Sequence, residues 1–207
     1  MSSPTVTVSA VTQTGQDPED IEIFRRRVDT RQKQPPQGGS VSDYILWSLE
    51  VPGIGEAYPS RPSPGFVNIF PLTDDPDPEN RIPDSGKLTE LQTYVSDPRR
   101  RPLNASVSAL AFTEFPVAVA VSNLVPNTAE IRTAIQDAIS DYLWQRRPLI
   151  YLDDPSPRHQ ISLSDCITLA GLAGARSVSI SITASGKSFP YTLEPSEIPR
   201  PGVFTFT

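Results

Sequence analysis

The side chains best suited to chemistry in this 207-residue chain are its one histidine, His159, and its one cysteine, Cys166. Together they could form a nucleophile–base pair, with the imidazole drawing off the thiol proton to leave a thiolate. Such a pair would make the protein a cysteine hydrolase, but the local sequence argues against it. His159 lies in the proline-rich stretch DDPSPRHQ, the setting of a solvated loop. Cys166 falls one turn into a helical segment with apolar neighbours, the setting of a buried structural thiol. A single His and a single Cys do not make a zinc site. A lone Cys also allows no intrachain disulfide, which fits a reducing compartment.

Other groups with chemical potential read the same way. Asp74-Asp75-Pro76-Asp77-Pro78-Glu79 has the carboxylate density of a calcium loop. Counted from Asp75, however, the sixth position is Asn80 where that loop needs Gly, and the twelfth is Gly86 where it needs Glu. The stretch reads as a solvated acidic loop. Gly38-Gly39 is not followed by Lys-Ser or Lys-Thr and so is a turn. Gly53-Ile54-Gly55 follows a helix, the wrong context for a dinucleotide site. Asn104-Ala105-Ser106 matches a glycosylation sequon, but the opening MSSPTVTVSA lacks the basic-then-apolar pattern of a signal peptide. No catalytic residue, metal or cofactor is expected.

Three basic runs remain: Arg25-Arg26-Arg27, Arg99-Arg100-Arg101 and Arg146-Arg147. Each can be helix-surface or helix-end charge, or can pair with an acidic partner. Tyr44, Trp47 and Trp144 can fill a core or anchor a contact. The candidate subunit interface is therefore Arg25, Arg26, Tyr44, Trp47, Arg99, Arg100, Arg101, Trp144, Arg146 and Arg147.

Bulk composition limits the partners. Net charge is −6, with 11 basic against 15 acidic residues up to residue 111 and 7 against 9 after it. Neither half carries the basic footprint of a nucleic-acid binder, and no apolar run is long enough to span a bilayer. Hydrophobic residues make up 37% and charged residues 20%, enough to fold, while 23 prolines exceed ordinary usage. Their clusters, at 35–36, 59–64, 76–83 and 195–201, predict rigid extended connections.

The elements that must carry these residues can be placed by period and punctuation. Residues 4–12 alternate as a strand. Asp17-Pro18-Glu19-Asp20 starts a helix running to about Lys33, with Ile21, Phe24 and Val28 on one face. Ser40 or Ser42 caps a second helix at 43–50, which Pro52-Gly53 ends. Strands follow at 54–58 and 66–70, then a loop at 73–84. Asp84 or Ser85 starts a helix with Leu88, Leu91 and Val95 on one face. Leu103–Ala111 alternates as a strand, and 115–122 is another. Asn127 or Thr128 caps the clearest helix, with Ile131, Ile135, Ala138, Ile139 and Tyr142 in one stripe. Ser162 or Ser164 starts the next helix, ending near Gly174. Strands at 177–183 and 202–206 finish the chain.

The order strand, long helix, short helix, strand, strand occurs at 5–70 and again at 115–206. The expected fold class is α+β: two related β-α-α-β-β units joined by a helix (85–96) and a strand (103–111). The first unit with its connection covers residues 1–111, the second 112–207.

The stretch QPPQGGSVSDYILWSLEVPGIGEAYPSRPSPGFVNIF, at 34–70, resembles the middle of the baseplate J-like family of contractile-tailed phages and related injection machines. GQDPEDIEIFRRRVDTRQKQPP resembles the helix that precedes it in that family. DPRRRPLNASVSALAFTEFPVAVAV and the ending PGVFTFT are similar to later parts. Together the resemblance covers nearly all of residues 5–207, and its most specific part, Pro35–Gly53, holds packing and turn residues rather than a catalytic signature. It implies a wedge protein in the virion tail baseplate, made in the host cytoplasm. Neighbouring copies would join in a ring, or iris, around the central hub and touch other wedge and hub proteins. It implies no nucleic acid, membrane or small-molecule ligand. Family members are typically longer at the N-terminus, so this chain is expected to be a short form or a C-terminal part. A tail-tip or fibre-attachment adaptor is the alternative within the same structural class.

Overall fold

A computed structural model describes residues 21–33, 38–150 and 157–207. The strand expected at 4–12 lies outside the described residues. The described elements are α1 (Ile21–Lys33), α2 (Val41–Leu49), β1 (Ile54–Ser63), β2 (Phe66–Thr73), α3 (Ser85–Val95), β3 (Ser106–Ala109), β4 (Thr113–Val125), α4 (Ala129–Trp144), β5 (Gln160–Ile161), α5 (Leu163–Leu172), β6 (Ser177–Thr183), β7 (Tyr191–Thr192) and β8 (Glu197–Phe206). The class is α+β, as the sequence predicts.

Helix starts follow their caps. Ser40 caps α2 in a reciprocal box: its side chain accepts from the Asp43 amide, and the buried Asp43 carboxylate accepts from the Ser40 and Gly39 amides at 3.0 and 2.8 Å. Asp84, Thr128 and Ser162 cap α3, α4 and α5. The turn before α2 needs glycine for space as well as conformation. Gly39 has φ +116°, and a Cβ there would sit 2.4 Å from Pro102 Cγ.

Antiparallel β1 and β2 pair with a parallel β3 in the order β1-β2-β3. Tyr44, Val51, Ile54, Ile69, Leu91, Val95 and Val107 form the core beneath α2 and α3. A second sheet has the order β6-β4-β8, with β6 antiparallel and β8 parallel to β4. Its core combines Val117, Val119 and Val121 with Ile135, Ile139 and Leu143 of α4 and Cys166 and Ala170 of α5. A short antiparallel pair, β5-β7, lies beside it. A third cluster joins the sheets: Tyr58, Phe70 and Leu72 meet Phe112 and Ile198.

The expected repeat does not extend to pairing, and the first strand of its first unit lies outside the described residues. β1 and β2 are hydrogen-bonded neighbours, whereas β6 and β8, their counterparts in order, lie on opposite sides of β4. Two boundaries also differ from expectation. The strand expected at Leu103–Ala111 contracts to β3, and Leu103 is 98% exposed rather than inward-facing. The strand expected to open at Gly202 instead begins at Glu197 and runs through Pro199 and Pro201. These prolines are part of a strand rather than a connection.

Among the described residues, proline occurs in strands only where they have a single paired neighbour. Pro59 and Pro62 lie on edge strand β1, and Pro199 and Pro201 on edge strand β8. Pro71 lies beyond the end of β3, and Pro116 before the start of β6. At these places a missing N–H costs no ladder bond. β3 guards its outer edge differently. The Gln92 amide donates to Val107 O at 2.8 Å and accepts from Ala109 N at 2.6 Å, as a neighbouring strand would.

β8 approaches β4 closely at Gly202, where a Cβ would lie 2.8 Å from Val117 O. Relief would require moving backbone. Gly202→Ala should therefore destabilise the chain by about 1–3 kcal/mol, the range for overpacking a tight site. Urea unfolding checks this as a lower midpoint at unchanged slope.

Candidate functional site

The candidate side chains occupy three environments. The first is a buried polar junction. Arg147, 5% exposed, donates from Nε to Glu56 Oε2 at 2.9 Å and from Nη1 to the Trp144 and Arg146 carbonyls. Glu56 also accepts from the Tyr58 hydroxyl and has Arg81 Nη1 at 3.9 Å. Burial pushes the Glu56 pKa up, but the Arg147 charge and the hydrogen bonds from Arg147 and Tyr58 outweigh it and leave it below the ordinary value. Tyr58 is raised by burial and by Glu56. Arg146 is also buried. Its Nε donates to Tyr142 O at 3.1 Å, and its guanidinium stacks 4.1 Å from the Tyr142 ring. Trp144, half-buried, lines the same junction with Leu72, Ile82 and Ile198. Arg146 and Arg147, candidates for interface charge by sequence, direct their side chains to internal partners.

The second environment is the end of α3. Arg99 and Arg100 both reach Asp97, and Arg100 also lies 3.8 Å from the Tyr94 ring. Arg101 turns inward, donating to Ser96 O and Ala105 O at 3.0 and 2.6 Å. It closes both the helix end and the edge of β3. Arg99 is the outward member, with 89% of its side chain exposed.

The third is α1 with α2. Arg25 is exposed and pairs with Glu22 one turn away at 2.7 Å. The Arg26 side chain lies outside the described residues. Tyr44 is a core residue, 2% exposed, edge-to-face with half-buried Trp47 at 5.1 Å. The structure thus collects Arg146, Arg147 and Trp144 at one junction and leaves Arg25 and Arg99 outward on separate elements.

The groups with chemical potential serve the fold. Cys166 is fully buried, and burial pushes its thiol up to about 11, away from the thiolate a nucleophile needs. In the acidic loop, Asp75 and Asp77 carboxylates accept from the amides of Asp77 and Glu79, fixing a tight turn. No cluster of His, Cys, Asp or Glu suited to a metal occurs among the described residues. Sequence reasoning missed Glu56 and the Lys187–Tyr191–Glu197 group that pins the loop after β6. The signal for Glu56 was present: a single acid in the otherwise uncharged strand IGEAY.

Comparison with known proteins defines the class. The fold aligns over 96% of this chain with 47% of a chain in the cryo-EM structure of the anti-feeding prophage baseplate, with TM-score 0.61 and 16% identity. Residues 36–111 match the Baseplate J-like central domain. Over those residues the chain therefore carries a baseplate J-like central domain. It is 32% identical over 132 residues to protein JayE of Escherichia coli K12, covering 62% of this chain and 48% of that protein. Identity is 27% over 150 residues to the Mu-like prophage FluMu protein gp47 of Haemophilus influenzae, covering 68% and 41%. Against baseplate protein gp47 of Escherichia phage Mu it is 28% over 136 residues, covering 61% and 37%. The chain thus spans less than half the length of these relatives.

Because the Glu56 pKa is depressed in the folded state, its stabilisation is present above the unfolded carboxylate pKa and is lost as pH falls through the folded value. Stability should decline below about pH 4.5, and Glu56→Gln should flatten that decline. At neutral pH Glu56→Gln should cost about 3 kcal/mol by orphaning Arg147, whereas Glu56→Leu with Arg147→Met should recover most of it. Chemical unfolding at pH 7 and pH 4 measures both effects.

Proposed function

We propose that this chain is a structural wedge subunit of a contractile-tail baseplate. Its copies join neighbour to neighbour in a ring around the central hub, and the ring contacts other baseplate proteins. The observation that carries this reading is a baseplate-type fold over nearly the whole chain, built around a baseplate J-like central domain. The arrangement of polar groups agrees with it, since the thiol and the buried charges act as packing and cross-bracing. We read the chain as two α+β units, residues 1–111 and 112–207, each with its own core. Contact with neighbours would be heterologous, one unit of a copy meeting the other unit of the next, because such contacts close into rings. Of the candidate residues whose side chains are described, Arg25 and Arg99 are the most exposed, and Trp47 is partly so. The role is non-enzymatic: the protein acts by holding and shifting subunit contacts.

Cross-linking mass spectrometry on intact tail particles tests this. The expected result is cross-links from residues 1–111 of one copy to 112–207 of another, together with links to other baseplate proteins. Links confined to fibre proteins would replace the wedge reading with the adaptor one, and absence from the particle would end both.

A further inference from the structure

Beside the outer edge of β3 lies an open groove of about 410 Å³, walled by Ser96, Arg101, Leu103, Asn104 and residues 105–107. Its one charged wall residue is Arg101. Over residues 97–101 three arginines face one carboxylate, Asp97, and Arg99 and Arg100 both reach it. Arg101, half-buried, has no ion pair among the described residues. Its Nε and Nη1 donate to the Ser96 and Ala105 carbonyls at 3.0 and 2.6 Å, which leaves Nη2 without a hydrogen bond among the described residues.

A backbone donor adds to this. Ser106 N and Leu110 N donate to Gly65 O and Ile69 O on the β2 side, so the alternate residues of β3 turn their polar groups outward. Gln92 closes Val107 O and Ala109 N, and Arg101 closes Ala105 O. Between these two clips the Val107 N–H has no partner among the described residues. A free guanidinium edge and an unpaired backbone N–H beside an open groove are a donor set for a carboxylate. Leu103, 98% exposed on the same groove, offers apolar contact to the segment that carries it.

Matching acids lie in the other half of the chain. On α4, Asp137 and Asp141 are exposed, one turn apart, and neither has an ion pair among the described residues. The one basic residue of that helix, Arg132, turns to Asn127 and the Phe206 ring instead. The two acids are separated by about 6 Å along the helix. One carboxylate can therefore enter the groove while the other meets Arg99, whose side chain is 89% exposed. A cationic groove that lacks a carboxylate is complementary to an acidic ridge that lacks a base.

We propose that the groove beside β3 of one copy receives the Asp137–Asp141 ridge of α4 from the next copy. One carboxylate binds Arg101 and the Val107 N–H, and Leu103 lies against α4 beside the acids. Groove and ridge belong to different parts of the chain, so the contact is heterologous and propagates from copy to copy. The inference rests on reading the chain as a link between copies in a baseplate.

Tail particles assembled with Leu103→Cys, Asp137→Cys or both, treated with a short bismaleimide and run on denaturing gels, test it. Both positions are exposed, and native Cys166 is shielded in the core. The double variant should give a ladder of cross-linked multimers while each single variant stays monomeric. Adding Asp141→Lys, which reverses the remaining acid, should abolish the ladder without lowering the isolated chain's melting temperature. A double variant that is present in particles yet stays monomeric overturns the docking and leaves the baseplate reading intact. A ladder that persists with Asp141→Lys shows a contact that needs no carboxylate and overturns it as well. Dimers from either single variant overturn it in favour of a like-to-like contact. Absence of the unmodified chain from particles defeats the proposed function itself, and the docking with it.

Discussion

A largely buried ion pair, Glu56 with Arg147, joins the first sheet to the end of α4. Removing either charge from water is expensive, and their attraction offsets this only with good geometry and further hydrogen bonds. The structure supplies both. Glu56 takes a second donor from Tyr58, and Arg147 spends its remaining donors on the carbonyls at the end of α4. Around the pair, Tyr58 and Phe70 pack on Phe112 at 5.8 and 5.4 Å between centroids, beside Ile198. A charged contact has one low-energy arrangement where an apolar one tolerates several. The pair therefore ties β1 to the end of α4, and the aromatic cluster beside it adds apolar burial.

The strands of the two sheets carry different neighbours. β4 runs for 13 residues and carries a partner on each side for most of its length. Edge strands β1 and β8 carry prolines, and β3 is closed by Gln92 and Arg101. Those devices discourage unplanned strand addition, the usual hazard of an open sheet edge.

Much of this could be read from the residues, for reasons that separate local from distant physics. Caps and periodicity are local, so α2 to α5 were placed within a few residues, and the stripe of α4 picked out Ile135 and Ile139 as core. The resemblance at 34–70 led to the family because its turn residues, among them Gly39 against Pro102, answer a packing demand specific to this fold. Failures lie where a distant partner decides. Nothing near Pro199 and Pro201 says that β4 waits to accept them as a parallel edge strand. Arg146 and Arg147 end a helix as surface charges do, yet the chain returns β1 and Gln160 to them. Leu103 alternates correctly with Ala105 and Val107, but β2 ends the register at Ser106.

Burial of charge and exposure of apolar surface point the same way. A catalytic site typically holds a perturbed group where a substrate can reach it. Here the clearly shifted groups with deep burial are Glu56, Tyr58, Arg147 and Cys166, all enclosed by their own chain. The polar stabilisation goes into holding one shape. The outer surface, conversely, keeps Leu172 and Ile21 in water, which lowers solubility and adds nothing to the isolated fold. Such an exchange is reasonable for a part whose final surroundings are other proteins.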